Sequence, residues 1–309
     1  MERCDPLVTV VVPAYNHEDY VTECLSSIVE QDYPSLELIV INDGSTDSTA
    51  ARIKEFMAGR CAGFRYISKE NEGLVRTLNM GLSLAKGKYF CQIGSDDLLV
   101  PGSIRSRVEF LEAHPDVDVV FADAYLMYGR KKTTERLYGT AKRGYRSAEH
   151  TLKDLLTRDA RIFLPTGMFK RTLLKALGGF DEDFTWCEDT FMKYLVALHA
   201  RVEYLDKVVM YHRKHDSNVS GSWLRIMPDK ILAMEKLHAM VERGPLKRLV
   251  EDKLYKYNLK YFEKGMKSEV DSDRLTAALE NAIRIRPYAS KSLYYRLFVA
   301  LGRIFSSGP

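Results

Sequence analysis

The chain is poor in cysteine and in tryptophan, with five and two residues among 309. Cys4, Cys24, Cys61, Cys91 and Cys187 are odd in number, scattered and free of any CxxC pair, which argues against a zinc site and a disulfide framework. They are expected to be reduced thiols, several of them buried. No apolar run approaches the roughly 18 residues that cross a bilayer, and Met1 to Pro6 lacks the apolar stretch of a secretory signal. The expected address is therefore the cytosol. Internal repeats and low-complexity tracts are absent. Also missing is the concentrated basic patch of a nucleic-acid binder. The net charge is +4; residues 225–309 carry 17 Lys and Arg against 10 Asp and Glu, which leaves −3 for residues 1–224. These basic residues are spread around helical patterns with no nucleic-acid-binding motif beside them. An anionic membrane surface, at the inner face of the membrane, suits the basic tail better.

What is present is an ordinary soluble composition, 46% hydrophobic and 28% charged, enough for one large core or two modest ones. Over the first 120 residues, short β-rich runs alternate with helical patterns, the mark of a βαβ sheet. Strands are expected at Val8–Val12, Leu36–Ile41, Phe64–Ile67, Tyr89–Ile93 and Val117–Phe121. Between them, Tyr20–Gln31 places Val21, Leu25, Ile28 and Val29 on one helical face and stops at Pro34. Ser45, Thr46 and Asp47 offer caps for a helix through Ile53–Met57 that closes at Gly59, Leu74–Ala85 reads as a third helix, and Pro101 opens a fourth that ends at Ala113. Tyr128–Arg146 has no sustained period and is expected to be a mobile loop. Helices are expected again at Arg171–Leu177 and Glu188–His199, strands at Arg201–Leu205 and Val208–Tyr211, and helix alone from about Pro228. The resulting expectation is a domain over 1–224 and a helical region over 225–309.

In open α/β sheets, ligands bind beyond the carboxyl ends of the strands. Those ends here carry Pro13, Ala14, Tyr15 and Asn16, then Asn42, Asp43, Gly44 and Ser45, then Gly94, Ser95, Asp96 and Asp97. Asp43 with Gly44 is compatible with a plain turn, and Asp96 with Asp97 with a cap for the helix after Pro101. Their coincidence at one sheet edge favours a site. Two adjacent carboxylates suit a hard ion such as Mg²⁺ or Mn²⁺ that bridges to substrate phosphates, and a nucleotide diphosphate is the natural partner.

The segment VVVPAYNHEDYVTECLSSIVEQDYPSLELIVINDGSTDST resembles the opening of the family 2 glycosyltransferases, inverting enzymes of the GT-A fold. NEGLVRTLNMGLSLAKGKYFCQIGSDDLLVPGSI continues it, and LPTGMFKRTLLKALGGFDEDFTWCEDTFMKYLV is similar to the family's acceptor-side segment. The resemblance covers roughly residues 7–220. It implies a mostly parallel sheet flanked by helices, with a nucleotide-binding half over about 1–120, an acceptor half over about 121–224 and a helical C-terminal extension.

The resemblance also implies roles. Pro13, Tyr15 and Asn16 fall where the family grips the nucleotide, with Tyr15 placed to stack on the base, and Asp43 where it binds the base. Gly73 and Asn79 fall in the segment that nears the diphosphate, and Ser95 in the nucleotide-binding stretch. Asp96 matches the last position of the metal-binding DxD motif, Asp97 its companion, and His215 a histidine that completes the metal or diphosphate site. Gly94 departs from the pattern, since it stands where the first Asp of DxD belongs. Asp189 matches the general base, and Trp186 and Glu188 border the acceptor. The implied reaction moves a sugar from a nucleotide diphosphate, UDP favoured, to a hydroxyl of a saccharide, lipid-linked or protein-linked acceptor, in polysaccharide or glycoconjugate synthesis, with Mn²⁺ or Mg²⁺. A nucleotidyltransferase and a sugar-nucleotide-binding scaffold without turnover stand as alternatives. Lys291–Phe305 places Leu293, Leu297, Leu301 and Ile304 on one helical face, for peripheral membrane contact or for packing on the body or a second subunit.

Overall fold

The computed structural model describes residues 5–58, 64–137, 148–157, 162–215, 223–268 and 270–296. Two units separate along the chain, Met1–Asn218 and Val219–Pro309.

In the first unit the order is β1 (Val8–Ala14), α1 (Val21–Val29), β2 (Leu36–Asp43), α2 (Thr49–Met57), β3 (Phe64–Lys69), α3 (Leu74–Leu84) and β4 (Tyr89–Gln92). β5 (Leu98–Leu99), α4 (Ser103–Ala113), β6 (Val119–Tyr128), β7 (Lys131–Arg136), α5 (Ala148–Thr157), β8 (Met168–Lys170), α6 (Arg171–Ala176), α7 (Glu188–His199) and β9 (Val202–Lys214) follow. The strands form one sheet in the order β3-β2-β1-β4-β8-β6-β9-β5, with β7 paired to β6. β1 runs parallel to both β2 and β4. Its VTVVVPA run has both faces covered, as a central parallel strand requires.

Helices cover both faces. One apolar layer joins Leu25 and Ile28 of α1, Ile53 of α2 and Ile104 and Val108 of α4 to Val10, Val12 and Val40 of the sheet. The other joins Leu78 and Leu82 of α3 and Met192 and Val196 of α7 to Val11, Ile39, Phe90 and Phe121. The alternate residues of β1 thus feed two cores, which follows from the period of two along a strand. Ser48, and not one of the three expected caps, holds the N-cap position of α2; Asp47, one residue earlier, accepts the Thr49 N–H of the first turn through Oδ1 at 2.9 Å. Among the cysteines, Cys24, Cys91 and Cys187 are buried and form no disulfide; Cys4 and Cys61 lie outside the described residues.

Three further local expectations are corrected. Within 128–146, residues Lys131–Arg136 form an antiparallel strand against β6, after a turn at Gly129 with φ of 56°. Its KKTTER sequence is solvated along most of its length, so the pairing comes from backbone hydrogen bonds with no apolar alternation to betray it. Residues 138–147 lie outside the described part. The two short strands expected over 201–211 are one 13-residue strand, because β9 stays paired with β6 through register shifts around Asp123. Asp96 and Asp97 do not cap α4: β5 intervenes, and Gly102 with φ of 72° holds the N-cap position.

The second unit contains α8 (Trp223–Met240), α9 (Pro245–Gly265) and α10 (Ser272–Ile285), with α9 packed on both neighbours. α8 begins before Pro228, which lies inside it. No helix among the described residues is long and apolar enough to cross a membrane. Most of the amphipathic segment at 291–305 lies outside the described residues.

Candidate active site

Strand direction decides which side chains meet. β8 is antiparallel to β4 and to β6, and β9 is parallel to β6, so the two reversals return β9 to the direction of β1, β2 and β4. The carboxyl ends of all four therefore share one sheet edge. α7 reaches β9 through two residues and must run back across the sheet, which turns its N-terminus toward the same edge.

At this edge Asp96 Oδ2 lies 3.0 Å from His215 Nε2, and Asp96 Oδ1 lies 4.0 Å from Nδ1 of His17. The three side chains bring ligand atoms within 4.8 Å of one another. Ser95 is buried and its Oγ sits 2.7 Å from His17 Nδ1. Two imidazoles and a carboxylate, partly open to solvent, are a donor set that fits a divalent ion. Asp97 does not join them. Its Oδ1 accepts the Arg213 N–H at 2.8 Å and faces His212 Nδ1 at 3.2 Å, on the buried side of the turn. Burial above all raises its carboxyl above the ordinary value against the His212 hydrogen bond, and the Asp96 charge pushes the same way. His17, and not Asp97, brings a ligand atom near those of Asp96 and His215. The reason is steric economy at a tight turn: adjacent side chains leave in different directions, and β9 claims the second one.

Arg213 is fully buried behind this turn. Its Nε donates to the Asp96 carbonyl at 2.6 Å, Nη2 to Glu23 Oε2 at 2.7 Å and Nη1 to the Gly129 carbonyl, with the guanidinium 4.6 Å from the Tyr20 ring centroid. One planar cation thus ties α1, the β4 turn and the β6–β7 turn together. Arg213→Met is expected to lower unfolding free energy by about 2 kcal/mol, since it leaves two part-buried carbonyls and the partly exposed Glu23 carboxylate without their donor. Arg213→Lys should recover less than half, because one ammonium cannot reach three directions. Urea unfolding midpoints test this, and a loss below about 0.5 kcal/mol, the range of ordinary surface changes, would sink it.

Gly94 also belongs to the geometry. A Cβ at position 94 would lie 2.6 Å from Asp96 Oδ1, so any side chain displaces the carboxylate. Gly94→Asp, which rewrites the turn as DxD, is expected to weaken metal-dependent nucleotide binding at least about tenfold, the lower end of what loss of ligand support costs. Tighter binding in titration calorimetry would refute that.

The other predicted residues are distributed as follows. Pro13 is partly buried at the end of β1, and Tyr15 is 46% exposed just beyond it. Asn16 has φ of 52° and accepts the Thr46 N–H at 2.8 Å through Oδ1, locking the ends of β1 and β2 together. Asp43 is buried; Oδ1 accepts from Glu72 N–H at 3.0 Å and from the Lys69 ammonium, and Oδ2 from Gly73 N–H at 3.0 Å. Its carboxylate thus holds the loop before α3, where Gly73 takes φ of 91°. Asn79 faces the Gly178–Glu182 turn: Oδ1 accepts the Phe180 N–H and Nδ2 donates to the Phe180 carbonyl, both at 2.8 Å. That use of the amide joins α3 to the segment leading into α7.

Asp189 lies in the first turn of α7 beside buried Glu188, three residues after half-buried Trp186. Its Oδ2 accepts from Lys193 Nζ at 2.7 Å and its Oδ1 from Thr190 Oγ at 3.1 Å. Burial pushes this carboxyl up, but the Lys193 charge and the two side-chain hydrogen bonds outweigh it and hold it below the ordinary value. The helix dipole acts in the same direction. Asp189 is therefore ionised at neutral pH.

His17 and Arg213 are the residues that reading by strand ends passed over. His17 follows Asn16 by one position, so the rule that selects Tyr15 and Asn16 reaches it. Arg213 carries no such signal, because nothing in YHRKHD distinguishes a buried arginine from a solvated one.

A doubly covered, mostly parallel sheet with carboxylates and imidazoles gathered at its carboxyl edge defines an α/β protein whose candidate site lies where such sheets bind ligands. Residues 9–178, more than half of the chain, match the glycosyl transferase family 2, and the chain belongs to that family. An uncharacterised glycosyltransferase of Haemophilus influenzae is 44% identical over 118 residues, 38% of this chain and 36% of that protein. Glycosyltransferase GlyG of Streptococcus pneumoniae is 28% identical over 230 residues, 71% of this chain and 73% of its own. The fold is that of GT-A glycosyltransferases. TarS 1–349 of S. aureus, also solved with UDP-GlcNAc, superposes with a TM-score of 0.66 at 21% identity, over 91% of this chain and 81% of its own. Mannosyltransferase PcManGT from Pyrobaculum calidifontis, solved with GDP-Man and Mn²⁺, gives 0.60 at 21% identity, over 97% and 81%.

Proposed function

We propose that the chain is an inverting glycosyltransferase that moves a sugar from a nucleotide diphosphate, UDP favoured, to an acceptor hydroxyl in polysaccharide or glycoconjugate synthesis. The observation that carries this reading is the meeting of Asp96 and His215 at the sheet edge in a family 2 chain, with the ionised Asp189 on the helix that starts at that edge. The strand ends of residues 1–120 bind the donor: Tyr15, exposed, stacks on the base, and Asn16, Asp43 and Gly73 shape the loops around it. Asp96 and His215 hold the divalent ion, with Asp97 and Ser95 fixing the turn. When bound, that ion neutralises charge on the departing diphosphate.

Trp186 and Glu188 border the acceptor. Asp189 takes the proton of the acceptor hydroxyl as its oxygen bonds to the anomeric carbon, and the bond from that carbon to the diphosphate oxygen breaks. Attack from the face opposite the leaving group inverts the centre. The products are the glycosylated acceptor and a nucleotide diphosphate. Gly94 is no sign of a dead site on this reading, because it makes the room that the Asp96 carboxylate occupies.

A thermal-shift panel of UDP, GDP, dTDP and CDP, with and without Mn²⁺, followed by product analysis, tests the proposal. One nucleotide should stabilise the protein in a metal-dependent way, and turnover should release nucleotide diphosphate. Release of pyrophosphate would favour a nucleotidyltransferase; binding without turnover over a broad acceptor panel would favour a scaffold.

A further inference from the structure

His17 comes from the β1–α1 loop, Asp96 from the turn after β4 and His215 from the end of β9, so three separate segments converge on one point. Each is partly open: the side chains of His17 and Asp96 are 24% and 13% exposed, and that of His215 8%. The rings are held before any ligand arrives. His215 lies 5.0 Å from the Tyr20 ring centroid, and His17 meets His215 edge-on at 5.8 Å with 89° between planes. The Ser95 hydroxyl fixes the His17 ring from the neighbouring position, and Arg213 fixes the Asp96 backbone. Geometry this constrained costs little to organise on binding.

We propose that His17 is a direct metal ligand and that the resulting set of two imidazoles and one carboxylate selects Mn²⁺ and heavier transition dications over Mg²⁺. The inference rests on the proposed metal site and adds to it a ligand and a selectivity. Mg²⁺ prefers an octahedron of oxygens and gives up its waters reluctantly. Imidazole nitrogen favours the first-row transition ions, in order of affinity from Mn²⁺ upward. A site with one aspartate would accept Mg²⁺ readily; two nitrogens tilt it away. The open side leaves positions for phosphate oxygens of the donor.

The test is direct binding to the full chain with UDP present, reading free Mn²⁺ by electron paramagnetic resonance and competing with Mg²⁺ and Co²⁺. Mn²⁺ should bind at least about tenfold tighter than Mg²⁺, and Co²⁺ tighter still. Pulsed resonance on bound Mn²⁺ should show two coordinated nitrogens in the wild type and one in His17→Ala or His17→Gln. His17→Ala should weaken Mn²⁺ at least about tenfold, since even outer-shell partners are worth that much, and bring it close to Mg²⁺. The wild-type spectrum and ion preference stand even where a variant folds poorly. One nitrogen in both wild type and His17→Ala overturns the His17 assignment and leaves the Asp96–His215 site intact. Equal wild-type affinities for Mn²⁺ and Mg²⁺ overturn the selectivity. Undiminished Mn²⁺ binding in Asp96→Ala, or none in the wild type, overturns both this inference and the metal reading beneath it.

Discussion

Asp189→Asn should lower sugar transfer by about 10²-fold or more while leaving nucleotide affinity within about twofold. The amide matches the carboxylate in size and can keep a hydrogen bond to Thr190, but it cannot accept the acceptor proton. Because the proposed nucleotide site lies at the strand ends and not on α7, the loss belongs in kcat. Wild-type turnover in this variant would remove Asp189 from the mechanism. The surroundings add a second signature. Lys193 holds the Asp189 carboxyl low, so the base stays ionised throughout the pH range in which neutral imidazoles can hold a metal ion, and its own protonation should not set the wild-type acid limb. Lys193→Met removes the charge that lowers the carboxyl, leaves the burial that raises it, and should move the acid limb of the pH–rate profile upward. An unmoved limb would mean that another group still sets it in the variant.

Asp96→Ala should abolish metal-dependent nucleotide binding. A ligand at about 100 times its dissociation constant stabilises a protein by roughly 2.7 kcal/mol, and that increment should vanish from the thermal shift seen with Mn²⁺ and UDP. Transfer should fall by about 10²–10³-fold, the scale on which one electrostatic stabiliser of the leaving group acts. Stability without ligand should change by no more than about 1 kcal/mol: the variant loses the His215 pair, but the contact to Arg213 is made by the backbone carbonyl of residue 96. A retained metal-dependent shift would place the ion elsewhere.

Much of the first unit was legible because local pattern and burial agree there. β1 and β2 are unbroken apolar runs, α1 and α3 carry apolar residues at helical spacing, and the turn chemistry between them is standard. Legibility failed where structure depends on a partner. β7 is polar and exists through its pairing with β6; β5 and β8 have two and three residues and too little pattern to read. The long β9 looks like two strands because the exposed Asp206 and Lys207 interrupt it at a register shift, after which pairing with β6 resumes at Val208.

The site divides along the same line. Sequence alone determined that carboxylates and an aromatic ring follow successive strands, since residue order and strand periodicity are local properties, and that the motifs are those of family 2. Tertiary structure decided which of them face one another. Asp96 and Asp97 are adjacent in the chain and opposite in fate: one meets His17 and His215 in the cleft, and the other is buried against Arg213 and His212. Asn79 and Phe180 are joined across 101 residues. Such pairings depend on sheet order and on the direction of β9, set by packing free energy distributed over two cores, and no short window of residues encodes them.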